Sequence, residues 1–379
     1  MHILIAPNAF KNSLNAQAAA AAILRGLEQS RLQFTAECFP VGDGGDGTGD
    51  LLMARLGAEK VEAVVRDPFG RERASYFGCV GTTAIIEMAN ASGLRLLAHH
   101  ELAPLHASSL GTGDLIRASL AKGTKHILVG MGGSATVDGG TGILRALGAS
   151  FLDADGRELT DLPAGLVDLA TIDLAGLDPG LKHSELTVLC DVDNPLLGSQ
   201  GAAAIFGPQK GASPRDVEML EQALTRFAEV VWLQLGVRLA DLPKGGTAGG
   251  AAAGLHGVLG ATLVDGIEYF LNSAGFEAAL ARADWVITGE GSLDEQTLKG
   301  KGPFGVASAA KSKGLPVIGL AGRLPREQSP ALESYFDVLL PINHEVVPLA
   351  EALLFTDANL TAAARAVGNL LAISLASTI

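Results

Sequence analysis

The strongest constraint on the fold is a junction that recurs along the chain. An apolar run of strand length stops abruptly in a loop of glycine with Asp, Glu, Lys, Ser or Thr. His2 to Ala6 runs into Pro7-Asn8-Ala9-Phe10-Lys11-Asn12-Ser13, and Phe34 to Phe39 precedes Val41-Gly42-Asp43-Gly44-Gly45-Asp46-Gly47-Thr48. His126 to Val129 leads into Gly130-Met131-Gly132-Gly133-Ser134-Ala135-Thr136-Val137-Asp138-Gly139-Gly140, and Leu186 to Cys190 into Asp191-Val192-Asp193-Asn194-Pro195. Val286-Ile287-Thr288 is followed by Gly289-Glu290-Gly291-Ser292-Leu293-Asp294. Buried parallel strands read as such apolar runs, and the loops at their carboxyl ends are where α/β proteins place chemistry.

Helices separate these runs near the start. Asn15 to Glu28 is alanine-rich with Asn15 placed as its cap, and Asp46 to Leu56 is helical before a third strand at Val61 to Val65. Two βαβ steps imply right-handed crossovers and a mostly parallel sheet. After the turn Asp67-Pro68-Phe69-Gly70-Arg71 the pattern changes. Glu72 to Cys79 and Thr83 to Met88 form a candidate hairpin about Val80-Gly81, with helices near Gly113 to Ala121, Thr141 to Leu147 and Pro214 to Leu235. The Gly245 to Gly260 run reads as a tightly packed helix of small residues, with a ligand-facing surface at its start as the alternative. From Ala283 the opening rhythm returns, with strands at Asp284 to Thr288, Leu315 to Ala321 and Tyr335 to Pro341, and helices at Phe304 to Lys313 and Asn359 to Ala376. The expected architecture is therefore α/β in two domains. Residues 1–71 and 283–379 form a discontinuous, Rossmann-like domain with a mostly parallel sheet. Residues 72–282 form a second α/β domain inserted into it, with the active site expected in the cleft between them.

Composition narrows the function. The 48 glycines are clustered, not periodic, among 379 residues that are 48% hydrophobic and 18% charged, which excludes collagen-like and low-complexity readings. The balance of 28 Lys+Arg against 41 Asp+Glu, a formal charge of −13, argues against nucleic acid as a partner. Cys38, Cys79 and Cys190 are far apart and form no Cys-x-x-Cys pair, as expected of free thiols in a reducing compartment. The chain opens without a basic segment and long apolar core of a signal peptide, and no window approaches the roughly 20 apolar residues of a membrane span. A cytoplasmic protein without membrane partners is expected, and the choice between monomer and homo-oligomer stays open.

The loops nominate site residues. Lys11, between a strand and a helix amino terminus, suits an anion. Asp43 and Asp46 could hold Mg²⁺, with Glu290 as a competitor. Ser134 and Thr136, among consecutive glycine amides and followed by Asp138, form a candidate phosphate or carboxylate nest. Phe206-Gly207-Pro208-Gln209-Lys210-Gly211 and Lys299-Gly300-Lys301 add cationic donors, Gly111-Thr112-Gly113-Asp114 is a further polar-glycine cluster, and Arg323 follows a strand. No Gly-x-x-x-x-Gly-Lys-Ser/Thr sequence occurs, so the chain is not recognisable as a P-loop enzyme.

In this order, the segments Ala6 to Leu14, Pro40 to Thr48, Leu110 to Ile116, Gly132 to Gly140, Cys190 to Gly211 and Ile287 to Gly300 resemble the bacterial glycerate kinase family, which includes glycerate 2-kinases. Asp191-Val192-Asp193-Asn194-Pro195-Leu196-Leu197-Gly198 through Phe206-Gly207-Pro208-Gln209-Lys210-Gly211 is the most specific stretch. The resemblance implies ATP, Mg²⁺, D-glycerate as acceptor, and two unequal α/β domains. It favours transfer to the 2-hydroxyl. Phosphoryl transfer needs an oriented hydroxyl and positive charge at the phosphate, which assigns Asp191 near the glycerate hydroxyl as base or orienter, Lys11 to catalysis as well as anion capture, and Ser134, Thr136, Asp138, Asn194, Lys210 and Arg323 to phosphate or the glycerate carboxylate. The alternatives are a kinase or phosphatase for another small hydroxy or sugar acid, or a binding protein without turnover. This chain departs from the family pattern at Asn8-Ala9 (commonly Asp-Ser), Asn12 (Gly), Leu110 (an aromatic), Val137 (Asn) and Ser292 (Arg).

Overall fold

The computed structural model describes residues 1–295, 297–298, 300–327 and 330–376. Its strands are β1 (His2–Ile5), β2 (Thr35–Cys38), β3 (Glu59–Arg66), β4 (Glu72–Val80), β5 (Thr83–Glu87), β6 (His126–Gly130), β7 (Ser150–Leu152), β8 (Thr171–Asp173), β9 (Glu185–Cys190), β10 (Thr262–Asp265), β11 (Trp285–Ser292), β12 (Val317–Arg323) and β13 (Val338–Pro341). The chain divides into two compact units, residues 1–43 with 267–379, and residues 44–266. The fold is α/β, with one fully parallel sheet and a second, mixed one.

The first unit is assembled from both ends of the chain. Its sheet runs β13-β12-β11-β1-β2, every pair parallel. Ile3, Leu4 and Ile5 are all fully buried, as a strand covered on both faces requires. Ile3, Ile5, Ile287 and Leu320 share a core with Ile23 and Leu27 of the helix Ala16–Glu28 and with Leu360 and Val367 of the helix Thr356–Ala376. Asn15 caps the first of these helices as expected, its Oδ1 accepting from Ala18 N at 2.8 Å. Those two helices meet at Gly26, where a Cβ would overlap the Thr361 carbonyl oxygen. The chain leaves β1 toward β2 on one side, whereas β11, β12 and β13 continue on the other. Strand order therefore reverses between β1 and β11, the kind of point where open α/β sheets bind ligands.

The second unit has a sheet ordered β10-β9-β6-β5-β4-β3. The first four strands are parallel; β4 pairs antiparallel with both β5 and β3. The hairpin expected around Val80-Gly81 is present, with Val80 opposite Thr83. The third strand requires a correction. β3 does not extend the parallel sheet of the first unit but pairs antiparallel with β4, Val61 opposite Phe77. The division consequently falls at Asp43/Gly44 and Gly266/Ile267, earlier at both points than 71/72 and 282/283. An apolar run fixes strand character; its partner is set by which neighbouring edge it can cover.

The Gly245–Gly260 run also differs from the expectation of one helix. Only Ala251–Leu259 is helical. Ala248, Gly249 and Gly250 have φ of 55°, 67° and 87°, a left-handed succession that a right-handed helix cannot contain. The small residues permit close backbone approach instead: a Cβ at Gly249 would overlap Thr136 O, and one at Gly254 would overlap Gly139 O. Gly254→Ala should therefore destabilise by about 3 kcal/mol, the upper end of ordinary overpacking, because the obstacle is backbone. Gly165, with open space around it, serves as control. Its alanine variant should stay within about 0.5 kcal/mol of wild type in urea unfolding.

Candidate active site

In the first unit, the loops at the reversal point gather Asn8, Lys11, Asp43 and Glu290. β1 continues past Ile5 with Asn8 N bonded to Gly289 O at 2.9 Å, and β2 continues with Val41 N bonded to Pro7 O at 3.0 Å. These extensions bring Asp43 to Asn8, whose Nδ2 donates to Asp43 Oδ2 at 2.7 Å; Gly302 N donates to the same oxygen at 3.3 Å. Glu290 is buried near the end of β11, with Thr297 Oγ1 donating to its Oε1 at 3.0 Å. Burial pushes its carboxyl group up to about 7; Lys301 opposes this, while Asp43 and Asp294 add to it. Lys11 is exposed on the turn closed by Phe10 and Leu14, with its backbone against Gly291. Arg323 is exposed at the end of β12, opposite Ser292 in register. Lys299 lies outside the described residues.

In the second unit, Lys210 is only 3% exposed, and its ammonium donates to Ser134 Oγ at 2.8 Å and Thr136 O at 2.6 Å. Both acceptors are neutral. Burial lowers the ammonium to about 7, against the attraction of Asp138 and Asp191. The hydroxyl oxygen of Thr136 is itself buried without a hydrogen-bond partner. Asp138 shapes the loop from inside: its Oδ2 accepts from Ser109 N, Ser109 Oγ and Gly142 N, and its Oδ1 from Gly140 N, at 2.7–3.2 Å. Those donors stand at the starts of the helices Leu110–Ala121 and Thr141–Ala146, so one carboxyl group ties two helix entrances together. Burial nonetheless raises its pKa.

Asp191 leaves β9 half-buried, and its loop is held by the Gly245–Gly250 segment. Gly246 N donates to Asn194 O at 2.8 Å, and Lys244 bridges Asp193 and Asp265 at 2.6 and 3.0 Å. Asn194 Nδ2 donates to Gln200 O at 2.8 Å, closing the turn that follows. The loop before the helix Thr48–Leu56 packs against the same strand ends. Gly132 N donates to Gly44 O at 3.0 Å, and a Cβ on Gly44 would lie 2.9 Å from Leu189 O. Asp46 is paired with Arg95 at 3.0 Å. Within this unit the fold brings Ser134, Thr136, Asp138 and Lys210 together, with Asp191 near enough to act on the Lys210 charge. The Gly111–Asp114 cluster is instead a packing joint. Asp114 pairs with Arg66 and Arg117 at 2.6 and 3.0 Å, and Gly111 abuts the Arg66 carbonyl group.

A family model described as the glycerate kinase family matches residues 3–372. The chain belongs to the glycerate kinase family. It is 44% identical over 354 residues to the glycerate kinase of Bacillus subtilis (strain 168), covering 93% of each chain. It is 40% identical over 377 residues to the glycerate 2-kinase of Escherichia coli (strain K12), covering 99% of each. A crystal structure assigned as a candidate glycerate kinase 2 from Salmonella typhimurium LT2 superposes with a TM-score of 0.81 at 41% identity, covering 99% of each chain.

Membership of the glycerate kinase family makes the chain a phosphotransferase and implies dependence on a nucleotide and Mg²⁺. Among the described residues, no three His, Cys, Asp or Glu side chains gather to hold a metal by themselves. The donor set still fits Mg²⁺, which commonly uses one or two carboxylates and completes its octahedron with water and phosphate oxygens. Asp43 and Glu290 supply such a pair, and a nearby cation would favour the ionised form that burial of Glu290 disfavours. Among the described helices, none is long and apolar enough to cross a membrane.

The departures from the glycerate kinase family pattern become partly intelligible. Asn12 has φ of 64°, a conformation open to Gly and tolerated by Asn. Asn8 can donate to Asp43, which an ionised Asp could not. Val137 is fully buried. Nothing in the structure explains Ala9, Leu110 or Ser292.

Sequence reasoning missed Glu87, Arg95, Lys244 and Thr297. Glu87 had a signal, a carboxylate closing the apolar run Ala84-Ile85-Ile86; it is fully buried and pushed up to about 8 by that burial. The other three are ordinary polar residues whose partners are distant in sequence or hidden by a turn. A pH dependence follows from Lys210. An anion bound beside it favours the ammonium form, whose pKa in the free protein is about 7. Sulfate affinity, read by calorimetry, should be flat below that pH and weaken by up to about tenfold per unit above it, where binding must take up a proton. Lys210→Met should abolish both the affinity and its pH dependence.

Proposed function

We propose that the protein transfers the γ-phosphate of ATP to the 2-hydroxyl of D-glycerate, giving 2-phosphoglycerate and ADP. The observation that carries the reading is the buried Lys210 ammonium held on two neutral acceptors, Ser134 Oγ and the Thr136 carbonyl oxygen, a ready site for an anionic group. The 2-hydroxyl assignment draws on the name of the Escherichia coli relative, a glycerate 2-kinase.

In this reading Asp191 accepts a hydrogen bond from the acceptor hydroxyl, orienting it and taking its proton as the new P–O bond forms. Lys210, Ser134 and Thr136 hold phosphate or the glycerate carboxylate, while Asp138 keeps their loop in shape. Lys11 donates to a phosphate oxygen where negative charge accumulates. Asn194 and Arg323 are further substrate contacts. Asp43 and Glu290 would hold Mg²⁺, whose positive charge would offset that of the phosphate oxygens, while Asp46, nominated from the sequence, is engaged by Arg95. The partners are these small molecules, and the expected compartment is the cytoplasm.

The test is a steady-state comparison of wild type, Asp191→Asn and Lys11→Ala with D-glycerate and ATP. Asp191→Asn should lower kcat by roughly 100- to 10,000-fold with a smaller change in KM, while Lys11→Ala should raise KM and lower kcat together. Phosphorus NMR should show 2-phosphoglycerate; 3-phosphoglycerate would overturn the regiochemistry. A near-wild-type kcat in folded Asp191→Asn would remove Asp191 from the chemical step.

A further inference from the structure

We infer that Glu87 is a positioning residue: its carboxyl group fixes the first turn of the helix Thr48–Leu56 and, through the loop before that helix, the backbone that carries Ser134. The inference rests on the Ser134–Lys210 reading of the anion site.

Glu87 is fully buried at the end of β5, opposite Gly130 of β6. Its Oε1 accepts from Gly47 N at 3.1 Å and its Oε2 from Gly49 N at 2.5 Å. A helix start has N–H groups that its own turn cannot satisfy, and a local Ser, Thr, Asp or Asn normally caps them. Here the cap position is Gly47, with φ of 90° and no side chain to offer. Asp50, in the first turn, accepts instead from the Tyr76 hydroxyl at 2.9 Å. The cap is therefore delivered from another strand. Gly49 makes room for it, since a Cβ there would lie 2.7 Å from Glu87 Oε2.

The anchored turn is coupled to the anion loop by backbone. Gly44 N donates to Thr48 Oγ1 at 3.0 Å, closing the loop onto the helix start, and Gly44 O receives Gly132 N at 3.0 Å. Gly132 has no space for a Cβ against Gly45 and Asp46. The residues after Glu87 hold the same loop elsewhere: Met88 N donates to Gly130 O at 2.9 Å, Leu94 N to Gly133 O at 2.8 Å, and Ala135 N to Ser92 O at 2.9 Å. Ser134 thus stands on a strip of backbone braced before and after Glu87.

Chemistry explains the choice of residue. Two backbone donors converge on one buried group, so the group must accept on both of its atoms. A glutamine would turn an NH₂ toward one of them, and an apolar side chain would leave both unpaired. Burying a carboxyl group is costly, and core packing gives no reason for one here. The Gly47 and Gly49 amides are then occupied from within, so the glycine loop before this helix shapes the site and does not cradle phosphate with them.

The test uses Glu87→Gln, nearly isosteric, with Ser134→Ala and the double variant. Amide exchange at Gly47 and Gly49 should accelerate at least about tenfold in Glu87→Gln, while the melt stays cooperative. The kcat for glycerate should fall roughly 10- to 100-fold, as displacements near 1 Å do. The double variant should be no more than about threefold worse than the worse single, because both act on one loop. Unchanged exchange at Gly47 and Gly49, or wild-type kcat in a folded Glu87→Gln, overturns the inference, as does full additivity. If Glu87→Gln does not fold, Gly49→Ala crowds the same carboxyl group from the other side. It should reproduce the loss of kcat, and wild-type turnover there also overturns the inference. Should Ser134→Ala leave both sulfate binding and turnover intact, the anion-site reading and the functional coupling built on it fail together; the exchange rates then report only whether Glu87 anchors the turn.

Discussion

Gly132 donates its amide to the Gly44 carbonyl oxygen at 3.0 Å and leaves no space for a Cβ against Gly45 and Asp46. Much of the second unit's site depends on this kind of contact, in which backbone touches backbone without side chains between. Gly249 meets the Thr136 carbonyl group, Gly254 that of Gly139, and Gly246 that of Pro195. Each contact brings a loop from another part of the chain to the ends of β6 and β9. Side chains at these points would overlap backbone and push apart the segments that carry Ser134, Lys210 and Asp191. The abundance of glycine is therefore a packing requirement of the site as much as a matter of turn geometry.

Electrostatics complements that packing. Each unit buries an ionisable group with its charge poorly compensated, and the signs are opposite. Lys210 is lowered to about 7 and Glu290 raised to about 7, in both cases chiefly by loss of water. Such groups are costly to a fold unless something of opposite charge arrives, and they concentrate at functional sites. A bound anion relieves the first and a bound cation the second. Asp138 is a different case: burial raises it too, but Ser109, Gly140 and Gly142 already satisfy it.

Much of the element order was legible because it is local. The capped helix after Asn15, the helix Pro214–Leu235 and the hairpin at Val80-Gly81 depend on residues near one another in sequence. Candidate loops were legible for the same reason, since glycine and carboxylates after an apolar run mark a strand end. What stayed hidden was long-range. The side of the molecule to which β3 belongs depends on its pairing with β4, and the burial of Lys210 depends on a loop some seventy residues away, Ser134 lying 76 positions earlier.

By itself, the sequence determined the α/β class, the loops where chemistry could reside and the resemblance to the glycerate kinase family. These follow from local periodicity, turn chemistry and motif order. Only the tertiary structure decided what each polar residue in those loops faces. It turned Asp138 inward to tie two helix entrances, paired Asp46 with Arg95, and set Lys210 on Ser134 and Thr136. It also made Glu87 the cap of a helix to which it does not belong. A side chain's chemistry is local, but its solvation, charge and partners are fixed by the segments packed around it, and those come from anywhere in the chain.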